Sequence, residues 1–274
     1  MIVVTGATGN VGRPLVKALL AAGERVTAVS RRSPGEGLAG VRHHRADLAA
    51  PQTLKPALDG AESLFLLTSG DFLAAGGDLG PVLEVVRAAG VRRVVLLSSL
   101  GVGTGDHPSA AEDAVRRSGL GWTVLRPGGF HSNTLQWAGG VRAERTVRAP
   151  FGDVALPSVD PDDIAEVAAV ALRDAEHAGL VHELTGPVPV SPRQQAAAIG
   201  DALGEPVRFV EQSRAEARAE MTRFMPEPVA DATLDILGAP SEGLRRVRPD
   251  IERILGRPPR SFADWATRNA SAFR

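Results

Sequence analysis

The first residues with the types and spacing to do chemistry are three glycines. In "MIVVTGATGNVGRPLV", Gly6, Gly9 and Gly12 follow a β-branched apolar run and open a helical one. Glycine in these places permits, in turn, a tight turn, close approach of backbone N–H groups to a phosphate, and close packing of helix on strand. With Thr8, Asn10 and Val11 between and beside them, they make a cradle suited to the pyrophosphate of a dinucleotide.

A second stretch, "VVLLSSLGVGTGDHPSAAEDAVRRSG", carries a buried strand into Ser98 and Ser99 and then, through small residues, into an amphipathic helix. Hydroxyls at the carboxyl end of a strand are where hydrogen-bond donors converge on a bound ligand. The helix offers His107, Ser109, Glu112 and Asp113. A third stretch, "LRPGGFHSNTLQW", supplies Pro127, Phe130, His131, Asn133 and Trp137. Histidine protonates near neutral pH, so Ser98, Ser99 and His131 are the candidate catalytic groups. Phe130, Asn133 and Trp137 are the candidate substrate contacts, and Phe151 adds an apolar wall, whereas Phe224 reads as core.

Composition removes several alternatives. The 274 residues include no cysteine, which excludes disulfides, thiolate metal sites and cysteine nucleophiles. Tyrosine is also absent, and with it the phenol that commonly hands a proton to a reduced carbonyl. His43 and His44 are adjacent on a strand and point to opposite faces, so no metal site is expected. A net charge of -1 gives no footprint for a polyanion. No apolar run approaches membrane-spanning length, and a strand beginning at the first residue leaves no room for a signal peptide. The expectation is a cytoplasmic monomer or homodimer acting on a small aromatic molecule, with no nucleic-acid or membrane partner.

These groups need a scaffold, and the chain alternates short apolar strands with helices from the start. Continuous apolar strands bounded by helices that end in glycine (Gly23, Gly90, Gly119) predict an α/β fold with a doubly wound, mainly parallel, Rossmann-like sheet. The expected division is a dinucleotide-binding domain over 1–155, rejoined by a helix and last strand over 156–186, and a smaller, mostly helical cap over 187–274. The segment after "LRPG" reads as long and irregular, with 128–155 lining the pocket. Asp160 and Pro161 read as the cap and first position of the next helix. Further helices are expected near 192–203, 214–224, 228–237 and 262–272.

At the end of the second strand an acidic residue would bind the ribose 2′-hydroxyl of NAD. Here the sequence is "AVSRRS", with Arg31 and Arg32 and no carboxylate. A guanidinium matches a 2′-phosphate, so NADPH is the expected cofactor, with NADH the alternative.

Taken with the glycine spacing, "ADL", "LLTS", "SS", "GWTVLRPGGF" and "VDPDDIAEVA" resemble the NmrA-like atypical short-chain dehydrogenases over nearly the whole chain. The resemblance implies that Asp47, followed by Leu48, hydrogen-bonds the adenine. It also implies that Thr68 and Ser69 border the ribose and nicotinamide, and Pro127 is counted with the cofactor contacts. That family holds NAD(P)H-dependent reductases, some acting on quinones and planar aromatics, and cofactor-sensing regulators. Two readings follow. The first is a reductase delivering hydride to an aromatic carbonyl or quinone, such as a hydroxyanthraquinone or related polyketide, without a tyrosine acid. The second is a non-catalytic NAD(P) sensor acting through a protein partner.

Overall fold

The computed structural model describes residues 1–31, 40–70, 72 and 75–274. Arg32, named above for the 2′-phosphate, lies outside the described residues. The strands are β1 (Ile2–Thr5), β2 (Val26–Ser30), β3 (Arg42–Arg45), β4 (Ser63–Leu67), β5 (Arg93–Leu97), β6 (Gly121–Pro127), β7 (Thr146–Ala149), β8 (Val181–Leu184) and β9 (Arg208–Glu211). The helices are α1 (Gly12–Ala21), α2 (Lys55–Leu58), α3 (Gly80–Ala88), α4 (Leu100–Thr104), α5 (Ala110–Arg117), α6 (Ala138–Glu144) and α7 (Pro161–Arg173). They continue as α8 (Pro192–Leu203), α9 (Arg214–Met221), α10 (Glu227–Gly238), α11 (Glu242–Arg245), α12 (Asp250–Leu255) and α13 (Phe262–Arg268).

The chain forms two compact units. The first comprises Met1–Pro127, Pro161–Leu184 and Asp250–Gly256. Its seven strands pair in the order β3-β2-β1-β4-β5-β6-β8, every pair parallel. This is the doubly wound sheet expected from the strand and helix rhythm. Both faces are covered, which is why β1 is buried at every residue instead of alternating. Val3, Leu64, Leu66, Val94, Leu96 and Val124 point to one face and pack with Val82, Leu83 and Val86 of α3. On the other, α1 packs against α7, and Ser63 Oγ donates to the Leu172 carbonyl at 3.2 Å.

The second unit comprises Gly128–Asp160, Thr185–Pro249 and Arg257–Arg274. Its core gathers Val141, Val147, Ile199, Phe262, Trp265 and Phe273, and β7 and β9 form a parallel pair. Helices α8, α9 and α13 each begin with a serine capping box, Ser191 with Gln194, Ser213 with Glu216 and Ser261 with Asp264.

Three expectations need correction. The segment after "LRPG" is not irregular: it holds a 3₁₀ helix at His131–Trp137, then α6 and β7. Gly139 and Gly140 disguised the helix, because glycine lowers helix propensity. A Cβ on Gly140 would lie 2.8 Å from the Thr146 carbonyl oxygen, so glycine there lets the chain turn back against its own helix. Phe224, read as core, is 65% exposed; α9 ends at Met221, so Phe224 falls beyond the buried helical face. The units also interleave differently from the expected division. Residues 128–155 belong to the second unit, and Asp250–Gly256 returns to the first. Asp160 directly precedes Pro161 at the start of α7, as read, and is also buried and ion-paired with Arg268.

Candidate functional site

At the carboxyl ends of β1 to β4 the first unit opens a cavity of about 390 Å³. It lies where the strand order reverses between β1 and β4, the place at which open α/β sheets bind ligands. Thr5 fixes that junction: its Oγ1 donates to the Phe65 carbonyl at 3.0 Å and accepts the Leu67 amide at 2.8 Å.

The three glycines do three different jobs. Gly6 turns the chain with φ +62°. A Cβ on Gly12 would lie 2.1 Å from the Gly6 carbonyl oxygen and 2.7 Å from the Ala7 Cα, so α1 packs on the turn only without a side chain. Gly9 meets only the Gly6 oxygen, at 3.2 Å, and is exposed; a side chain there would occupy the approach to the loop rather than the interior. Val11 stands at the N-cap of α1 and supplies no side-chain acceptor; of the first-turn residues, Arg13 donates its amide to the Gly9 carbonyl at 3.1 Å and Pro14 has no amide hydrogen. An anion is the natural ligand of such a helix start.

Gly6, Thr8 and Gly9 edge the cavity with Arg31 at the end of β2, Asp47 and Leu48 after β3, and Ser69 after β4. The Arg31 backbone is anchored by Arg45, whose Nε donates to its carbonyl at 3.1 Å. Asp47 Oδ1 accepts the Ala49 amide at 3.0 Å, a turn that holds the exposed carboxylate at the rim. Asn10, Val11, Gly12, Thr68 and Pro127 are not among the lining residues, and Gly12 acts from beneath. Phe72, which sequence reasoning missed, is. Ser69 Oγ accepts its amide at 3.2 Å. A Cβ on Gly77 would meet the Phe72 ring at 2.6 Å, so the ring lies directly on that glycine. The glycine cradle, the uncapped helix start and the arginine together fit a nicotinamide dinucleotide.

One strand further along, β5 delivers the two serines to different fates. Ser98 Oγ donates to Glu112 Oε1 at 2.7 Å. The same carboxylate takes Arg126 Nε at 2.8 Å and Nη2 at 2.7 Å, and Arg116 Nη2 at 2.9 Å. Burial by itself raises the pKa of Glu112. The hydrogen bonds from Arg126 and Ser98, with the two guanidinium charges, outweigh it and hold the carboxyl below its ordinary range. Glu112 was named among the groups on the helix but not as the partner of Ser98, and Arg126 was missed. The available signal was helical phase, since Glu112 lies three residues before buried Val115 on the same face.

Ser99 is half-buried and caps α4, its Oγ accepting the Gly101 amide at 3.2 Å. His107 Nδ1 lies 2.9 Å from the same oxygen.

His131 sits in the second unit, 1% exposed. Its Nε2 donates to the Ser158 carbonyl at 2.8 Å, and its ring meets Phe262 edge-on at 5.2 Å between centroids. That is how a core histidine is packed. Phe130 and Trp137, half-buried, and Asn133, exposed, lie in the same unit.

Residues 6–175 match the model of the NAD(P)H-binding family. The chain belongs to that family. It is 38% identical to the (4-alkanoyl-5-oxo-2,5-dihydrofuran-3-yl)methyl phosphate reductase of Streptomyces griseus, covering 100% of this chain and 99% of that protein. Among solved structures it resembles the NADPH-dependent quinone oxidoreductase of Escherichia coli complexed with NADPH. There the identity is 27% and the TM-score 0.81, over 98% of this chain and 99% of that one. It shares its fold with NmrA, a negative transcriptional regulator solved with NADP, at 19% identity and a TM-score of 0.73 over 97% and 94% of the two chains. The shared fold agrees with the NmrA-like resemblance read from the motifs. The family match carries the nicotinamide cofactor. Among the described residues no helix is long and apolar enough to cross a membrane, and no group of three or more His, Cys, Asp or Glu could hold a metal.

Proposed function

We propose that the protein is an NADPH-dependent reductase of a small aromatic carbonyl or quinone-type acceptor, and that it works without a tyrosine acid. The observation that carries this is the cavity at the β1–β4 junction with a serine hydroxyl at the end of the adjoining strand. Similarity along the full chain to two reductases supports the reaction class.

When bound, the reduced cofactor supplies a hydride. The chain holds its phosphates with the loop from Gly6 to Gly12 and its adenosine half with Arg31, Asp47 and Leu48. Ser99 presents a hydroxyl to the acceptor oxygen. A quinone-type product spreads its negative charge over a conjugated ring, so a hydroxyl in place of a phenol suffices. Hydroxyanthraquinones and related polyketides are the substrates we favour for that reason.

The expected kinetic signature is a kcat/KM about 10² higher for quinones and hydroxyanthraquinones than for isolated ketones of similar size, since a conjugated ring spreads the charge that an isolated alkoxide concentrates on one oxygen. Equal rates with isolated ketones contradict the preference for a conjugated acceptor. Arg31→Asp should shift the NADPH-to-NADH affinity ratio toward NADH by roughly 10- to 100-fold, the worth of one charge-assisted hydrogen bond, read by fluorescence titration. An unchanged ratio removes Arg31 from cofactor choice.

A further inference from the structure

We infer that His107 and Ser99 form a two-residue proton relay that stands in for the missing tyrosine. The inference rests on the reductase reading and names the group that reloads its proton donor.

His107 is exposed yet held in place. Its amide and that of Asp106 both donate to the Gly101 carbonyl, at 3.0 Å and 2.8 Å, so the loop after α4 folds back on the start of the helix. A Cβ on Gly101 would lie 2.6 Å from His107 Nδ1, so the imidazole lies against a glycine that leaves room for it. A surface histidine without a task needs neither feature.

With His107 protonated, the hydrogen bonding at Ser99 sets the direction of transfer. Its Oγ already accepts the Gly101 amide. With Nδ1–H of a protonated His107 donating as well, both acceptor positions of the hydroxyl are filled, and its own proton is directed away from α4. Register brings the end of β5 alongside the strand that borders the cofactor cavity: Leu67 pairs with Leu97, and Ser99 follows Leu97 by two residues as the cavity-lining Ser69 follows Leu67. Ser98 cannot serve, because its proton is committed to Glu112.

The balance is simple. Hydride reaching the acceptor leaves an electron pair on the acceptor oxygen. That oxygen takes the Ser99 proton, Ser99 takes the Nδ1 proton of His107, and solvent returns a proton to Nδ1 once the product has left, Nε2 keeping its own throughout. The acceptor gains one hydride from NADPH and one proton from solvent. Ser99 is the catalytic residue, and His107, acting through it, is a positioning residue. The charged groups on neighbouring elements have other partners. Asp106 accepts from the Thr104 hydroxyl, Asp113 accepts from Ser109 at 2.8 Å, and Glu112 and Arg126 bind each other, with Glu183 3.9 Å from Arg126.

The test is single-turnover oxidation of bound NADPH by a quinone between about pH 5.5 and 8.5 in wild type, Ser99→Ala and His107→Asn, with an NMR titration of the histidines in cofactor-free protein. In the wild type the rate should follow the protonation of His107 measured by NMR. His107→Asn keeps a hydrogen bond near the Nδ1 position but carries no titrating proton. It should lose the pH-dependent limb and slow about 10²-fold, with NADPH affinity unchanged. A merely structural histidine would leave the limb in place. Wild-type rate and limb in His107→Asn overturn the relay and leave the reductase standing. No oxidation by any quinone in the wild type overturns both.

Discussion

Glu112→Ala lowers the stability of the folded protein by about 3–5 kcal/mol in denaturant unfolding, the cost of removing one partner from a buried ion pair. The carboxylate is fully buried. It takes two bonds from Arg126, one from Arg116 and one from Ser98. Without it, the Arg126 guanidinium, 16% exposed, keeps, among the described residues, only Glu183 at 3.9 Å as a counter-charge. The pH dependence has a defined sign. The folded carboxyl has a lowered pKa, so its stabilisation is complete above the unfolded value of about 4.3 and is lost as the pH falls from there through the folded value. The variant lacks that contribution to acid sensitivity. A change within about 0.5 kcal/mol, the range of an ordinary surface substitution, would falsify the structural role assigned to the network.

Gly9→Val weakens NADPH binding roughly 10³-fold while leaving the unfolding midpoint close to wild type. The two glycines that flank it explain the contrast. At Gly12 a side chain meets backbone at 2.1 Å and the fold itself must give, whereas at Gly9 the nearest atom is 3.2 Å away and a shift of a few tenths of an ångström suffices. What valine takes at Gly9 is the space through which a pyrophosphate reaches the loop amides. Losing two charge-assisted hydrogen bonds, at about 1.5–3 kcal/mol each, gives an effect of this order. Calorimetric titration of folded Gly9→Val decides it, and wild-type affinity there refutes the phosphate loop.

The sheet was legible because parallel strands buried on both faces must be continuous apolar runs, and β1, β4 and β5 are such runs. Helix starts in the second unit were legible from serine followed three residues later by an acid or amide, as at Ser213 and Ser261. The cradle could be read because each glycine answers a separate steric demand. Side-chain partners across long sequence gaps were not legible. Nothing near Ser98 announces that a glutamate 14 residues away claims its proton. Nor does His131 announce that a carbonyl 27 residues away holds its ring in a core. Phe72 was passed over because its place against the cavity depends on β4 ending beside β1, a contact more than 60 residues long in sequence. The Ser99–His107 pair lies only 8 residues apart. It escaped notice because it depends on the chain folding back over Gly101, for which a loop of small residues gives no pattern.

On this reading the cradle feeds hydride to a conjugated acceptor. The direct measurement is to titrate the protein with NADPH and follow the absorbance of the bound reduced cofactor as quinones and hydroxyanthraquinones are added. Saturable binding followed by oxidation over repeated turnovers is the expected result. Tight binding with no oxidation across the panel contradicts it and makes the protein a sensor of nicotinamide nucleotides.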